Sequence, residues 1–222
     1  METTQLLTPT QIVKSKRKSI SLIIKNNGDF IVRAPSKVDE TKIFEFINLK
    51  SDWIIRKRTE VLTNQPKSLR LENGEIIALL GEEYKISTQP VNRAKISENQ
   101  IILPLQNSKD HFIKLLKKYA KKYLEKRTEV IAHNFNLTYN GIIISSARTC
   151  WGSCSFNNKL HFTYKLMLCP KVVVDYIIIH ELCHTKIKNH SSSFWGLVGK
   201  LNPDYKNVEK WLKQNRGIIE CI

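Results

Sequence analysis

Residues 175–184 read Asp-Tyr-Ile-Ile-Ile-His-Glu-Leu-Cys-His, and Asn189-His190 follow after four further residues. On a helix, side chains four positions apart differ by about 40° in direction and one turn in height, so His180 and His184 can reach one metal ion. Glu181 directly follows the first histidine, where its carboxylate can handle the proton of a metal-bound water. The apolar residues before His180 predict a central, buried helix, in which unpaired polar side chains would be costly. We therefore predict a metal site on this helix.

His190 is the predicted third ligand. If the helix continued unbroken, His190 would point about 120° away from His184. The chain therefore has to leave the helix between these two histidines. We predict a helix from Lys171 to about Lys188 that ends at Asn189, a residue type that tolerates the left-handed conformation. Three neutral imidazoles and an open water position are typical of catalytic zinc, although iron, cobalt and nickel also accept such ligands.

This ligand set predicts peptide-bond hydrolysis. Zinc lowers the pKa of its water toward about 7, and Glu181 then accepts the proton as the water attacks a carbonyl. Glu181 would pass that proton to the leaving amine. The sequence thus predicts a hydrolase with one zinc ion, a general base at Glu181 and a protein or peptide as substrate.

The composition is that of a globular protein with a strong positive charge. Among 222 residues, 36 Lys and Arg stand against 20 Asp and Glu, for a formal net charge of +16. A positive electrostatic field of this strength attracts polyanions, but a high net charge can also serve only to keep a protein soluble. The alternative function is therefore a basic, nucleic-acid-associated protein, in which the metal is structural or the protease acts on DNA-bound proteins.

The densest positive charge lies on a predicted long helix from Ser108 to about Asn136. Between Lys109 and Arg127, eight Lys or Arg accompany two acidic residues, a net charge of +6. A solvated helix face explains this pattern more simply than nucleic-acid binding does, because no base-reading groups can be placed from the sequence.

The cysteines and the absence of long apolar runs indicate a cytoplasmic protein. The five cysteines are odd in number and follow no disulfide-framework spacing. Met1–Thr10 lacks the apolar core of a signal peptide, and no apolar run approaches the roughly 20 residues of a membrane span. Cys150 and Cys154 could hold a second metal, but no second cysteine pair accompanies them, so their role stays open.

The remaining patterns predict an α+β protein in two parts. Residues 1–105 read as a strand-rich scaffold or substrate-docking region with one helix, from Asp39 to about Leu62. Its three predicted hairpins turn near Gly28, near Gly81 and near Glu98-Asn99. Residues 106–222 contain the long helix, short strands at 142–144 and 160–164, and the metal-site helix.

Several segments, taken together and in order, resemble the YgjP-like zinc metallopeptidases. They are Lys16–Leu22, Val32–Pro35, Lys50–Ile54, Arg148–Ser155, Cys169-Pro170, Asp175–His184, Asn189–Trp195, Pro203–Tyr205 and Trp211-Leu212. The chain departs from the family pattern at Cys150, where a basic residue is usual, and at Thr163, where Asn is common.

The resemblance implies a minimal zincin-like α+β protease domain of the gluzincin type at the C-terminus, related in style to the SprT and WLM groups. It also implies His180, His184 and His190 as zinc ligands and Glu181 as base. We further expect Arg148, Trp151 and Asn189 to contact substrate or form the wall of the site.

Overall fold

A computed structural model describes residues 7–25, 27–63 and 69–222 of the chain. These residues form two compact units, one that ends at residue 63 and one that begins at residue 69. Two sequence predictions fall partly outside the described residues. They concern Asn26 in the first predicted hairpin turn, and residues 1–6 of the segment that was analysed for a signal peptide.

The first unit combines a three-stranded sheet with two helices. Its strands are β1 (Gln11–Ser15), β2 (Ser21–Ile24) and β3 (Phe30–Pro35), and its helices are α1 (Glu40–Leu49) and α2 (Ser51–Thr63). The sheet order is β1-β3-β2. Strands β2 and β3 pair antiparallel, which confirms the hairpin, whereas β1 pairs parallel to β3. The predicted single helix from Asp39 to Leu62 is divided at Lys50 into α1 and α2.

The second unit begins with a four-stranded sheet under a long helix. The strands are β4 (Ile76–Leu79), β5 (Glu82–Gln89), β6 (Lys95–Ser97) and β7 (Gln100–Pro104), in the order β4-β5-β7-β6. Antiparallel pairing of β4 with β5 and of β6 with β7 confirms both predicted hairpins. The predicted long helix is α3 (Ser108–Asn134), which buries Phe112, Leu116 and Leu124 on its inner face.

A second small sheet stands beside the metal-site helix. It contains β8 (Ile142–Ser145), β9 (Gly152–Cys154) and β10 (Leu160–Thr163), in the order β8-β10-β9. Strand β9 pairs antiparallel with β10, with Gly152 opposite Phe162. Sequence analysis predicted strands only at 142–144 and 160–164, and none where β9 lies. Because β9 is at the end of the sheet order, its second edge has no strand partner among the described residues.

Helix α4 (Lys171–Cys183), which is predicted to carry the metal site, is the central helix of the second unit. It is followed by α5 (Ser192–Leu201) and α6 (Tyr205–Gln214), and short 3₁₀ helices cover Tyr164–Leu168 and Arg216–Glu220. Residues 176–179 of α4 are all buried, as the apolar sequence predicted. None of the helices in the described ranges is long and apolar enough to cross a membrane.

The division into units does not follow the predicted boundary between residues 105 and 106. That boundary falls inside the second unit, because β7 and α3 contribute to one core. Ile101 and Leu103 of β7 belong to the same buried cluster as Phe112 and Leu116 of α3, and this cluster extends to α4. The strands at 76–104 are thus part of the body that carries the candidate site.

Candidate metal centre

The three predicted histidines converge at the C-terminal end of α4. His180 is in its last turn, His184 is its C-cap, and His190 comes from the loop before α5. The Nε2 atom of His190 lies 3.2 Å from Nε2 of His180 and 3.1 Å from Nε2 of His184. His184 is buried, His180 is half-buried and His190 is exposed, so the cluster is open to solvent on one side.

The end of α4 differs from the prediction. The helix ends at Cys183 rather than near Lys188, and Asn189 does not adopt the left-handed conformation. The Thr185 hydroxyl donates to the carbonyl of Leu182 at 2.8 Å, and the Thr185 N–H donates to the same carbonyl at 3.0 Å. These tight local bonds end the helix one turn early and leave five residues to carry His190 back to the cluster.

Hydrogen bonds at the outer ring nitrogens orient the two helical histidines. His184 Nδ1 lies 3.0 Å from the carbonyl oxygen of Ile187. A carbonyl oxygen only accepts, so Nδ1 carries the proton and the lone pair of Nε2 faces the cluster. His180 Nδ1 lies 3.4 Å from the hydroxyl of Tyr176, one turn earlier on α4. Both rings therefore have a partner on the side away from the cluster.

Aromatic rings pack around the cluster from α5. The ring of Phe194, which is fully buried, stacks on His184 at a centroid distance of 4.3 Å. Trp195 stacks on His190 at 5.7 Å and on Tyr205 at 5.6 Å. These contacts limit the rotation of the imidazoles and shield one side of the cluster from water.

Lys188 ties the loop that carries His190 to the turn between β9 and β10. Its ammonium group donates to the Ser155 carbonyl at 2.8 Å and to Asn158 Oδ1 at 2.6 Å, and it lies 3.5 Å from Cys154 Sγ. The loop would otherwise be held mainly by its own backbone bonds. Sequence analysis missed this lysine because its partners lie at least 30 positions away.

Glu181 is buried at the base of the site and lies directly against Gly152 of β9. Only 5% of Glu181 is exposed. A Cβ atom at residue 152 would lie 2.9 Å from both Cγ and Oε1 of Glu181, closer than such contacts normally come. Glycine is therefore needed at 152 for its small size, and it lets the carboxylate approach the strand.

Burial shifts the protonation equilibria of the central groups. It lowers the pKa of His180 to about 4, with further lowering from His184 and His190. Burial also raises the pKa of Glu181 to about 8. The pKa of Tyr176 is raised first by burial and then by the charge and hydrogen bonding of Glu209. A low imidazole pKa keeps His180 neutral, which is the form that binds metals.

A cleft of about 340 Å³ opens beside Glu181. One wall is the 149–152 segment, including the predicted Trp151. The opposite wall comes from α6 and the residues after it, which sequence analysis did not assign to the site; they are Glu209, Leu212, Lys213, Arg216 and Ile219. The predicted wall residues Arg148 and Asn189 are exposed and are not among the cleft residues. Cys150 lines the cleft as a free thiol.

These features together are typical of metal-dependent hydrolases. They are a buried helix with two histidines four residues apart, a third histidine on the next loop and a buried glutamate. Residues 18–215 match the family described as "YgjP-like, metallopeptidase domain". The match covers most of the chain, which therefore belongs to the YgjP-like metallopeptidases, as the resemblance predicted. The family is one of metal-dependent proteases.

Two metallopeptidase zymogens of known crystal structure are also similar to this chain, each with 23% sequence identity. Jannalysin of Methanocaldococcus jannaschii has a TM-score of 0.37, and the match covers 41% of this chain and 94% of jannalysin. Abylysin of Pyrococcus abyssi has a TM-score of 0.38, with 42% of this chain and 95% of abylysin covered. No curated protein matches the chain in sequence.

Proposed function

We propose that this protein is a zinc-dependent metallopeptidase, with His180, His184 and His190 as the ligands of one zinc ion and Glu181 as the general base. The observation that carries the proposal is the convergence of three imidazole nitrogens next to a buried glutamate. Among the described residues, a search for three or more possible metal ligands close together finds these three histidines, whose donor atoms all lie within 4.8 Å of one another.

The spacing of the nitrogens fits zinc. Zinc–nitrogen bonds of about 2.0–2.1 Å at tetrahedral angles hold ligand nitrogens roughly 3.3 Å apart. The two Nε2–Nε2 distances are 3.1 and 3.2 Å. The lone pair of His184 Nε2 faces His190 at this distance, and a cation between the rings would offset the repulsion of facing nitrogens. Three imidazoles also leave a fourth position for substrate or water, as catalysis requires.

We assign the proton transfers of the reaction to Glu181. When bound, zinc supplies Lewis acidity that polarises a peptide carbonyl and makes water more acidic. In its ionised form, which a zinc ion bound beside it would favour over the effect of burial, Glu181 takes the proton from the attacking water and returns it to the leaving amine as the C–N bond breaks. Its close packing on Gly152 restricts the movement of the carboxylate, which supports this role.

The unpaired edge of β9 is suited to hold the peptide. An extended substrate can add to this edge as a further strand, so that main-chain hydrogen bonds provide affinity independent of sequence. Glu181 packs against the face of β9 at Gly152, so a peptide on the edge of this strand would lie close to the carboxylate. The adjacent cleft, lined by Ile177, Leu212 and Ile219, would then receive a side chain of the substrate.

Cleavage of an unfolded protein by wild type and Glu181→Gln tests the proposal. The substitution keeps the size of the side chain and removes the base, so we expect bound zinc to stay at one ion per chain and the cleavage rate to fall by about 10²- to 10⁴-fold. Glu125→Gln, an exposed residue on α3, is the matched control and should cleave at the wild-type rate. Equal cleavage by the Glu181 variant and wild type would show that Glu181 is not the base.

A further inference from the structure

A groove between α3 and α4 lies apart from the active-site cleft. It encloses about 680 Å³ and shares no lining residue with that cleft. We name it the α3–α4 groove; its polar and aromatic lining residues are Tyr119, Lys122, Tyr123, Lys126, Arg127, Lys171 and Asp175. The proteolytic mechanism proposed above uses none of them.

Two tyrosines form an aromatic pair in this groove. Tyr119 and Tyr123 are one helical turn apart, and their rings stack with centroids 6.4 Å apart and planes inclined by 25°. Both are half-buried, so each ring is supported by the helix on one side and is accessible on the other. Arg127 continues this row by one further turn. Aromatic faces held in this way are the platforms on which unpaired bases stack.

Positive charge follows the same helix in a regular row. Lys118, Lys122 and Lys126 recur every four residues, about 6 Å apart along the axis, and all three are exposed. None of these three lysines takes part in an ion pair of the described residues, although Glu125 and Glu129 lie beside them on the same face of α3. The groove's acidic Asp175 is engaged by Arg127 in two bonds of 2.7 Å. A row of evenly spaced cations suits a chain of evenly spaced anionic groups better than one compact anion.

We propose that the α3–α4 groove binds single-stranded nucleic acid, with bases on the Tyr119–Tyr123 pair and phosphates along the row of lysines. Single-stranded nucleic acid would use both the tyrosine rings and the lysines, through its bases and its phosphates. An acidic peptide would contact the lysines but would have no groups that stack on the rings. An accessible strand is required, because bases in a duplex are already stacked on one another. This proposal does not depend on the protease mechanism.

Fluorescence anisotropy of a labelled 12-nucleotide oligo-dT, titrated with the full chain, tests this site. We expect the logarithm of the association constant to fall linearly with the logarithm of the salt concentration. The slope should be near −2 to −3 if three to four phosphates are neutralised. Lys122→Gln/Lys126→Gln should reduce the slope by about 1.4. Lys206→Gln/Lys210→Gln removes the same charge from exposed positions on α6 and should change the affinity less than about 2-fold.

The tyrosines have a separate test. Tyr119→Ala/Tyr123→Ala should weaken binding by about 10-fold or more at an unchanged salt slope, and Tyr119→Phe/Tyr123→Phe should restore it because the rings return. The groove is not the site if oligo-dT does not bind at 50 mM salt or if the α6 variant loses as much affinity as the α3 variant. Equal affinity for a labelled 12-residue poly-glutamate would also overturn the proposal. Peptide cleavage should be unchanged in all these variants, which separates this test from that of the active site.

Discussion

Replacement of Gly152 by alanine should impair catalysis without impairing metal binding. The added Cβ would meet Glu181 Cγ and Oε1 at 2.9 Å, whereas ordinary contacts begin at 3.4 Å. Either the carboxylate or the strand must therefore move by at least about half an ångström. The strand is restrained by its pairing with β10, where Gly152 lies opposite Phe162. We expect the Glu181 carboxylate to be displaced.

The size of the loss follows from this displacement. A misplacement of about 1 Å costs a catalytic group roughly 100-fold, so half an ångström to one ångström predicts a kcat about 10- to 100-fold below wild type. The three atoms nearest to the new methyl group all belong to Glu181 and none to a histidine, so zinc affinity should stay within about 2-fold. Both quantities can be measured on one preparation, by cleavage of a quenched fluorescent peptide and by competition with a chelating dye.

Gly196→Ala is the matched control. A Cβ at this position in α5 would meet nothing within 4 Å. Alanine is favoured over glycine inside a helix, so this variant should gain about 0.5–1 kcal/mol in the free energy of unfolding and keep wild-type activity. A Gly152→Ala enzyme with wild-type kcat would refute the inference that Glu181 must sit where it does.

Three further predictions concern two groups around the site and one buried cysteine. Tyr176→Phe removes the hydroxyl partner of the first histidine and should weaken zinc binding by about 10-fold in a chelator competition; unchanged affinity would show that the 3.4 Å contact does not orient that ring. Lys188→Met releases the loop that carries His190 from the turn between β9 and β10. It should also lower the zinc affinity and speed amide hydrogen exchange across residues 185–190. Amide exchange as slow as in wild type would show that Lys188 does not hold this loop. Cys169 is fully buried, and burial raises the pKa of its thiol. At pH 8 we therefore expect Cys169 to react with a disulfide reagent only when the protein unfolds, whereas the exposed Cys150 reacts at once. Rapid labelling of Cys169 in the native protein would contradict its burial.

The elements that could be predicted from the sequence are those decided by local pattern. The apolar run before His180 specified a buried helix, and the turn residues near Gly28 and Gly81 specified hairpins. The α+β class and the family followed from these elements and their motifs. For the helix and the hairpins the information lies within about ten residues, where helix periodicity and turn chemistry act, whereas the family resemblance rests on several motifs in order along the chain.

What sequence analysis missed depends on contacts between distant segments. The end of α4 was placed near Lys188 because the apolar pattern does not show the bonds of Thr185 that close the helix early. The boundary at residues 105 and 106 separated β7 from α3, since a shared core cannot be read from either segment alone.

The role of Gly152 is of the same kind, because only the folded chain brings β9 against Glu181. Tyr176 could have been found from the sequence: it lies four residues before His180, and that spacing places both side chains on one face of a helix. A tyrosine in an otherwise aliphatic run also carries a hydroxyl that needs a partner when buried.

X-ray absorption at the zinc edge of the zinc-loaded protein tests the central claim most directly. The account predicts one zinc ion per chain with three imidazole nitrogens at about 2.0–2.1 Å and one further light atom. Substitution of His190 by alanine should remove one imidazole from that shell. Sulfur at about 2.3 Å, or a spectrum that does not change in His190→Ala, would contradict a zinc site made by His180, His184 and His190.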